Sequence, residues 1–390
     1  MSPRPIRVAF VSHHPHLRMG GQQSMALLIE HLDRSAVEPL VICPGPGPLT
    51  DHLTALGCPV VHIPLYHLKA RTLGSVWRSS RRIRALLRER AIDIIAPDAS
   101  RDALTAGLAK LGTNTKMVWF VRLTARYSLD PLLGWLADAM IGDSDDTKRR
   151  FSRRLAGRHR TIVGGADLRR FRPSEDRRAL RRSLDLPLDR LVLLFAGQVK
   201  EAKGVFDIVD ALGHLKARAP DDVPFLVIVG TPDQPTIVTE IARRTEAQGT
   251  AADVRLHPQQ ANVERWMQAA DVLLSGSHED TEGMSRVLYE AMACGVVPVA
   301  TNIRGNRDAL TQDTGMLVPE RDPSAIAAAV HALQADPLQL ATMRAAGIQQ
   351  ARERFDIRRH ARAVEAFYRE VLRGSFAAPS GAEEPSDHRA

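Results

Sequence analysis

Two carboxylates stand eight positions apart in Glu282-Gly-Met-Ser-Arg-Val-Leu-Tyr-Glu290, with a glycine directly after the first. Met284, Val287, Leu288, Ala291 and Met292 follow helical spacing, so a helix is expected over 283–293, with Gly295 ending it. Glu282 then sits at the helix mouth and Glu290 about two turns further along. The first N–H groups of a helix lack intrahelical partners, and the helix dipole places partial positive charge there. Gly283 lets a ligand come close to the backbone, so a phosphate or a sugar hydroxyl fits this place. Two carboxylates so spaced can hold hydroxyls at two ends of a polyol-rich ligand. The same residues also suit a plain helix, with Glu282 stabilising its start and Glu290 paired to Arg286 one turn back.

Other stretches offer charge or close approach. Lys203, in Gly197-Gln-Val-Lys-Glu-Ala-Lys-Gly204 between an apolar strand and a helix, can bind a diphosphate as a point charge or be a solvated turn lysine. Gly20-Gly21, before a helix expected to start near Gln22, reads as a ligand-approach loop or a plain turn. His13, His14 and His16 read as substrate-facing or solvated loop histidines rather than a metal set.

These residues must be held by a regular scaffold. Strand-length apolar runs are expected at 6–12, 39–42, 60–63, 92–95, 116–120, 139–142 and 160–163. More follow at 191–196, 225–229, 254–257, 271–275 and 296–300, with a last short one within 314–319. Helical patterns fall between them, which implies α/β architecture and doubly wound parallel sheets. At 390 residues the chain is too long for a single ordinary core. Two domains are expected, over 1–180 and 181–355, with the charged stretch Pro173 to Pro187 at the linker. Pro323 to Arg354 reads as helical, 356–373 as a final helix, and 374–390 as a disordered tail.

Composition narrows the class. Hydrophobic residues make up 44% and charged residues 25%, as in a soluble globular protein. The net charge of +8, mostly arginine, favours anionic partners. Aromatic–basic interleaving and any recognisable nucleic-acid module are missing, so nucleic acid is not an expected partner. Cys43, Cys58 and Cys294 have no metal or redox spacing, which points to reduced thiols and the cytosol. The N-terminal apolar run is too short for a signal peptide, and no stretch is long enough to span a bilayer. The helix expected over 73–90 carries Leu73, Val76, Trp77, Ile83 and Leu87 on one face and Arg78, Arg81, Arg82 and Arg88 largely on others. It is either a solvated basic helix packed on a sheet or a surface that docks on anionic lipid.

The stretch from Glu282 to Gly295, continued by Val-Val-Pro-Val-Ala-Thr-Asn-Ile-Arg-Gly-Asn, resembles the E-x7-E signature of glycosyltransferase family 4. That resemblance implies the GT-B fold, two Rossmann-like domains facing a cleft, and retaining transfer from a nucleotide-sugar. It implies a donor site in the second domain, with Glu290 on the ribose, Glu282, Gly283, Met284 and Ser285 on the donor sugar, and the nucleobase near Gly230-Thr231 and His257-Pro-Gln259. Lys203 matches a family lysine on the diphosphate, whereas Gln198 stands where the family has an arginine. Gly20 and Gly21 match a ligand-facing glycine pair; with His14 they are expected at the acceptor, Gly21 also at the donor. Arg122 stands where members usually carry a histidine. Asp143-Ser-Asp145-Asp146 resembles the metal-binding D-x-D of the other major glycosyltransferase fold, yet it reads better as a turn in which Ser144 and the acids cap a helix. The final helix is expected to cross back onto the first domain.

The expectation is therefore a retaining glycosyltransferase that moves a sugar from a nucleotide-sugar to a saccharide or lipid-linked acceptor, in cell-surface polysaccharide or glycolipid synthesis. Glu282, Lys203 and Arg122 are its expected catalytic residues. No metal or other cofactor is expected, a phosphate oxygen of the donor serves as base, and the location is the cytoplasm, either free or peripheral at the inner membrane face. Arg122 and Gln198 motivate one alternative, a non-catalytic nucleotide-sugar-binding protein of the same fold; an epimerase of related fold is another.

Overall fold

Short runs of apolar residues form the two sheets. The structure is a computed structural model and describes residues 4–17, 20–258, 260, 262–279 and 283–375. One sheet contains β1 (Ile6–Val11), β2 (Val37–Cys43), β3 (Val60–His62), β4 (Ile94–Pro97), β5 (Lys116–Val121), β6 (Ala139–Gly142) and β7 (His159–Thr161). The other contains β8 (Val192–Ala196), β9 (Phe225–Val229), β10 (Val254–His257), β11 (Val272–Ser275), β12 (Val297–Thr301) and β13 (Met316–Val318). Their orders are β3-β2-β1-β4-β5-β6-β7 and β10-β9-β8-β11-β12-β13, and the pairings are parallel.

Parallel sheets need both faces covered, which is why inner strands such as β8 and β9 are apolar along their length, whereas the edge strands β7 (His-Arg-Thr) and β10 (Val-Arg-Leu-His) carry polar residues. In β1, Val8 and Phe10 enter one apolar cluster while Ala9 and Val11 enter another. In β8, Val192, Leu194 and Ala196 face one cluster, Leu193 and Phe195 the other. Each sheet is thus the middle layer of a helix–sheet–helix unit.

The chain divides into two compact units. The first runs to Ile162 and resumes at Ala361; the second is Val163–His360. The division at 162 lies earlier than the expected one at 180. The reason is packing: Ala166 and Phe171 are buried in the second unit's core beside Val192 and Leu194. The expected linker instead contains helix Arg177–Ser183, whose Arg177 and Arg181 pair with the carboxylate of Asp271. Helix Ile357–Arg373 buries Ala361, Val364, Phe367, Tyr368 and Val371 in the first unit's core with Val8 and Phe10. The expected tail falls almost wholly on residues 376–390, outside the described residues.

Two helices differ from their sequence pattern. The stretch 323–354 is two helices, Pro323–Ala335 and Pro337–Arg354. Asp336 Oδ1 accepts from Gln339 N at 2.9 Å, and Pro337 at the first turn suits a helix start. The helix expected from Gly283 begins at Arg286, because Ser285 is extended at φ −78°, ψ 114°.

Candidate functional site

In open parallel sheets a crevice forms at the carboxyl ends of the strands where the strand order reverses. In the second unit that point lies between β8 and β11. The loops leaving these strands touch closely. Gly204 has φ 66°, and a Cβ there would lie 2.1 Å from Gly276 O, so only glycine fits. The Gly276 loop is also tied by His278 N donating to Ala202 O at 3.1 Å.

Lys203 sits in this junction, at the end of the 3-10 turn Glu201–Lys203. Burial, then the charge of Lys200, pushes its amine down to about 7. A bound anion would reverse that shift, because an opposite charge favours the protonated amine.

Helix Arg286–Ala293 starts beside this junction, behind the buried Gly283, Met284 and Ser285. A Cβ on Gly305 would lie 1.8 Å from Gly283 O, so the loops after β11 and β12 also meet backbone to backbone. The Glu290 side chain is buried, and Arg286 Nη2 donates to its Oε1 at 2.6 Å. The loop after β11 is pinned further by Glu279 N donating to Glu320 Oε2 at 2.7 Å and by Arg304 Nε against Glu279 Oε1 at 3.3 Å.

In the first unit the strand order reverses between β1 and β4. Asp98 follows β4, Arg122 follows β5 and Asp143 follows β6, on three adjacent strand ends. Arg122 Nε donates to Asp98 Oδ1 and Nη1 to Asp143 Oδ1, both at 2.9 Å. Burial pushes the Asp98 carboxyl up while Arg122 pulls it down. His13, just after β1, meets Asp102 in the first turn of helix Ser100–Lys110, with Nδ1 to Oδ2 at 2.7 Å. His14 packs against His13 with ring centroids 4.1 Å apart. Burial first, then nearby cationic groups, pushes His14 down to about 4, so it is neutral at physiological pH.

Residues 176–354 match a family model described as glycosyl transferases group 1, and residues 19–197 one described as a glycosyl transferase 4-like domain. A D-inositol 3-phosphate glycosyltransferase from Xylanimonas cellulosilytica is 35% identical over 231 residues, 56% of this chain and 54% of that protein. The lipopolysaccharide core biosynthesis mannosyltransferase LpsB of Rhizobium meliloti is 28% identical, over 54% of this chain and 61% of that one. The chain thus spans about half the length of the curated relatives it matches first. Among solved structures, Anabaena HepE in complex with UDP and glucose superposes with a TM-score of 0.81 at 18% identity, covering 94% of this chain and all (100%) of that one. A Rickettsia africae glycosyltransferase gives 0.82 at 17% identity, covering 94% and 99%. The chain has the GT-B fold.

Within this GT-B chain the expected site residues separate into two sets. Lys203, Gly283, Met284, Ser285 and Glu290 gather about the crevice of the second unit, with Gln198 exposed on the loop that leads to Lys203. Glu282 and Gln259 lie outside the described residues. Gly20, Gly21, His14 and Arg122 lie at the strand ends of the first unit. Gly20 opens helix Gly20–His31, and a Cβ there would meet nothing within 4 Å, whereas a Cβ on Gly21 would lie 2.6 Å from Asp98 Oδ2. Gly21 is therefore required by packing against Asp98. The acidic turn differs from its expected capping role in detail: Ser144 makes no side-chain cap, and its Oγ is buried without a partner. Asp143 binds Arg122, Asp145 binds Lys148 and Thr161, and Asp146 binds Arg149, so the three carboxylates serve different partners.

Sequence reasoning missed Asp98 and Asp102, and it missed that Glu279 is partnered by Arg304 and Glu320. Asp98 stood in view as an acid directly after an apolar strand, and Asp102 as an acid in the first turn of the next helix. Their partners are distant in sequence, and only the sheet order brings them together.

Proposed function

We propose that the chain is a family 4 glycosyltransferase that moves a sugar from a nucleotide-sugar to a saccharide or lipid-linked acceptor, with retention of configuration. The observation that carries this is the junction at Lys203. A desolvated lysine and the start of helix Arg286–Ala293 follow the two strands, β8 and β11, that flank one strand-order reversal, within the stretch matched as glycosyl transferases group 1. Departure of the nucleoside diphosphate leaves cationic character at the anomeric carbon and anionic charge on the phosphate. Fixed positive groups at the leaving phosphate lower that barrier, and they do so most in a site shielded from water. In this reading Lys203 neutralises the diphosphate, Gly283 to Ser285 meet it with backbone N–H groups, and Glu290 holds the ribose. Glu282 holds the donor sugar, as the E-x7-E resemblance implies. The lysine and the helix start supply the positive potential, so a metal ion is not required.

No helix among the described residues is long and apolar enough to cross a membrane. Contact with a lipid-linked acceptor would then be peripheral. Helix Leu73–Glu89 suits that contact, with Leu73 and Trp77 exposed at 57% and 51% beside exposed Arg78, Arg81 and Arg82.

The test is a thermal-shift screen of nucleotide-sugars followed by transfer assays with and without EDTA. A donor at about a hundred times its dissociation constant should add about 2.7 kcal/mol of stability. NMR of the product's anomeric proton reads the configuration. Absence of stabilisation by any donor would sink the reading; loss of transfer in EDTA would sink its metal-free form; an inverted product would sink retention.

A further inference from the structure

Helix Leu73–Glu89 of the first unit holds Arg78, Arg81, Arg82, Arg84 and Arg88 against a single acid, Glu89. Two of these arginines are engaged with backbone oxygens, Arg84 with those of Leu108 and Ala109 and Arg88 with that of Gly112. Arg78, Arg81 and Arg82 are exposed, and none of the three is paired with an acid among the described residues. Arg78 and Arg82 stand one turn apart, a like-charge spacing that destabilises a helix. An anion lying between them would turn that repulsion into attraction.

A place for the anion exists. Between this helix and the loop that leaves β3 lies a cavity of about 180 Å³, lined by Pro64, Tyr66, Ser75, Arg78, Ser79 and Arg82. The buried Ser79 donates its Oγ hydrogen to Pro64 O at 2.6 Å, which ties the loop to the helix. Arg78 Nη2 donates to Ser75 Oγ at 3.2 Å, which holds that guanidinium at the cavity wall. The lining thus offers two guanidinium groups and three hydroxyls, and it contains no carboxylate. A guanidinium presents paired N–H donors that match two oxygens of one phosphate.

The rim indicates the source of that phosphate. Tyr66, Leu68, Leu73 and Trp77 are all exposed. By helical spacing the solvent-facing arc runs from Leu73 and Trp77 through Arg81 to Arg78 and Arg82. A free phosphate gains nothing from apolar side chains beside its site, whereas a lipid headgroup brings acyl chains that they can enter. We propose that this cavity binds the phosphate of an anionic phospholipid, with Arg78 and Arg82 on its oxygens and Leu73 and Trp77 in the acyl boundary, an inference that rests on the reading of this helix as the lipid-facing element. A saturable site for one headgroup fixes which way the first unit faces the bilayer, which diffuse attraction to a charged surface does not.

The experiment separates a built site from diffuse charge by variants that keep the charge. The full chain is compared with Arg78→Lys combined with Arg82→Lys, and with Ser75→Trp, which fills the cavity. Each is titrated with phosphatidylcholine vesicles with and without phosphatidylglycerol, then by calorimetry with dihexanoyl phosphatidylglycerol below its micelle concentration and with inorganic phosphate. The unaltered chain should bind the phosphatidylglycerol vesicles and take up the short-chain lipid at one site per chain. Both variants should lose at least about tenfold in each affinity, because lysine cannot reproduce the forked contact and tryptophan occupies its place. The lysine pair decides the matter if Ser75→Trp disturbs folding, as read from its melting temperature. Vesicle affinity of the lysine pair within about twofold of the unaltered chain overturns the proposal and leaves only diffuse attraction. Inorganic phosphate binding as tightly as the short-chain lipid overturns the lipid assignment. Failure of the unaltered chain to bind phosphatidylglycerol vesicles overturns the lipid-facing reading of the helix and this inference with it, while the donor reading of the second unit stands on its own test.

Discussion

At the scale of single residues, Lys203 carries the clearest consequence. Its amine is held at about 7, against an ordinary value of 10.5, by burial and by Lys200. A bound diphosphate raises it again, so binding takes up a proton wherever the free amine is neutral and the bound one charged. Affinity should then fall as pH rises above about 7, the reverse of what phosphate ionisation alone would give. Calorimetry at pH 8 in two buffers of different ionisation enthalpy should show uptake of most of a proton, and Lys203→Met should abolish it. Equal uptake in both proteins would remove Lys203 from the diphosphate site. The same lysine supplies a charge-assisted contact worth roughly 1.5–3 kcal/mol, so Lys203→Ala should cost at least about tenfold in transfer. The two glutamates should behave differently. Glu290, already paired with Arg286 at 2.6 Å, is offered to the ribose. Glu290→Gln should weaken binding of the free nucleoside diphosphate, while Glu282→Gln should spare that binding and lower turnover. Indifference of both quantities to both changes would remove the pair from the site.

At the scale of elements, the strands were readable and the side-chain partnerships were not. A parallel strand covered on both faces must be apolar along its length, and runs such as Phe225–Val229 announce that locally. Helix starts are set by less visible contacts. The apolar spacing from Met284 onward looks helical from Gly283, yet Gly283 packs against Gly305, Ser285 is extended and the helix begins only at Arg286. Arg122 could be seen as a departure from a resemblance, but its two carboxylates come from neighbouring strand ends 24 and 21 residues away. Helix Leu73–Glu89 shows a similar gap. Leu73 and Trp77 sit on the sequence's apolar face but remain exposed, while Val76, Ile83 and Leu87 are buried. Arg88 is engaged with Gly112 O at 2.9 Å, which leaves Arg78, Arg81 and Arg82 as the exposed cations beside the two apolar side chains. Flotation with liposomes should therefore require anionic lipid, weaken with salt, and drop when Trp77→Ser is combined with Arg78, Arg81 and Arg82→Gln. If that variant floats as well as the unaltered chain, the helix is a solvated face.

At the scale of the whole molecule, the second unit is closed by its own two ends. Ala166 N donates to Phe355 O at 2.7 Å, Ile357 N to Ala166 O at 3.0 Å, and His360 Nδ1 lies 2.8 Å from Val163 O. Between these ends the chain holds the buried Asp271, whose carboxylate takes Arg177 at 2.8 Å, Arg181 at 2.5 Å, Arg344 at 3.3 Å and Val192 N at 2.8 Å. The residues from Val163 to Leu180 therefore belong to this unit physically, although their charge and prolines read as a linker. A fragment 163–360 should fold alone, melt cooperatively and bind the nucleoside diphosphate with the affinity of the full chain. A fragment 181–355, cut at the sequence-based boundaries, loses Phe171 from the core, Arg177 from Asp271 and the paired ends. Removing one buried phenylalanine costs about 3–5 kcal/mol, and uncovering a buried charge adds to that, against a total stability of about 5–15 kcal/mol. The shorter fragment should therefore show no cooperative melt and no ligand binding. If instead it melts within a few degrees of fragment 163–360 and binds equally well, then the segment 163–180 is a linker after all, and the pairing of Asp271 with Arg177 contributes little to the unit that carries Lys203.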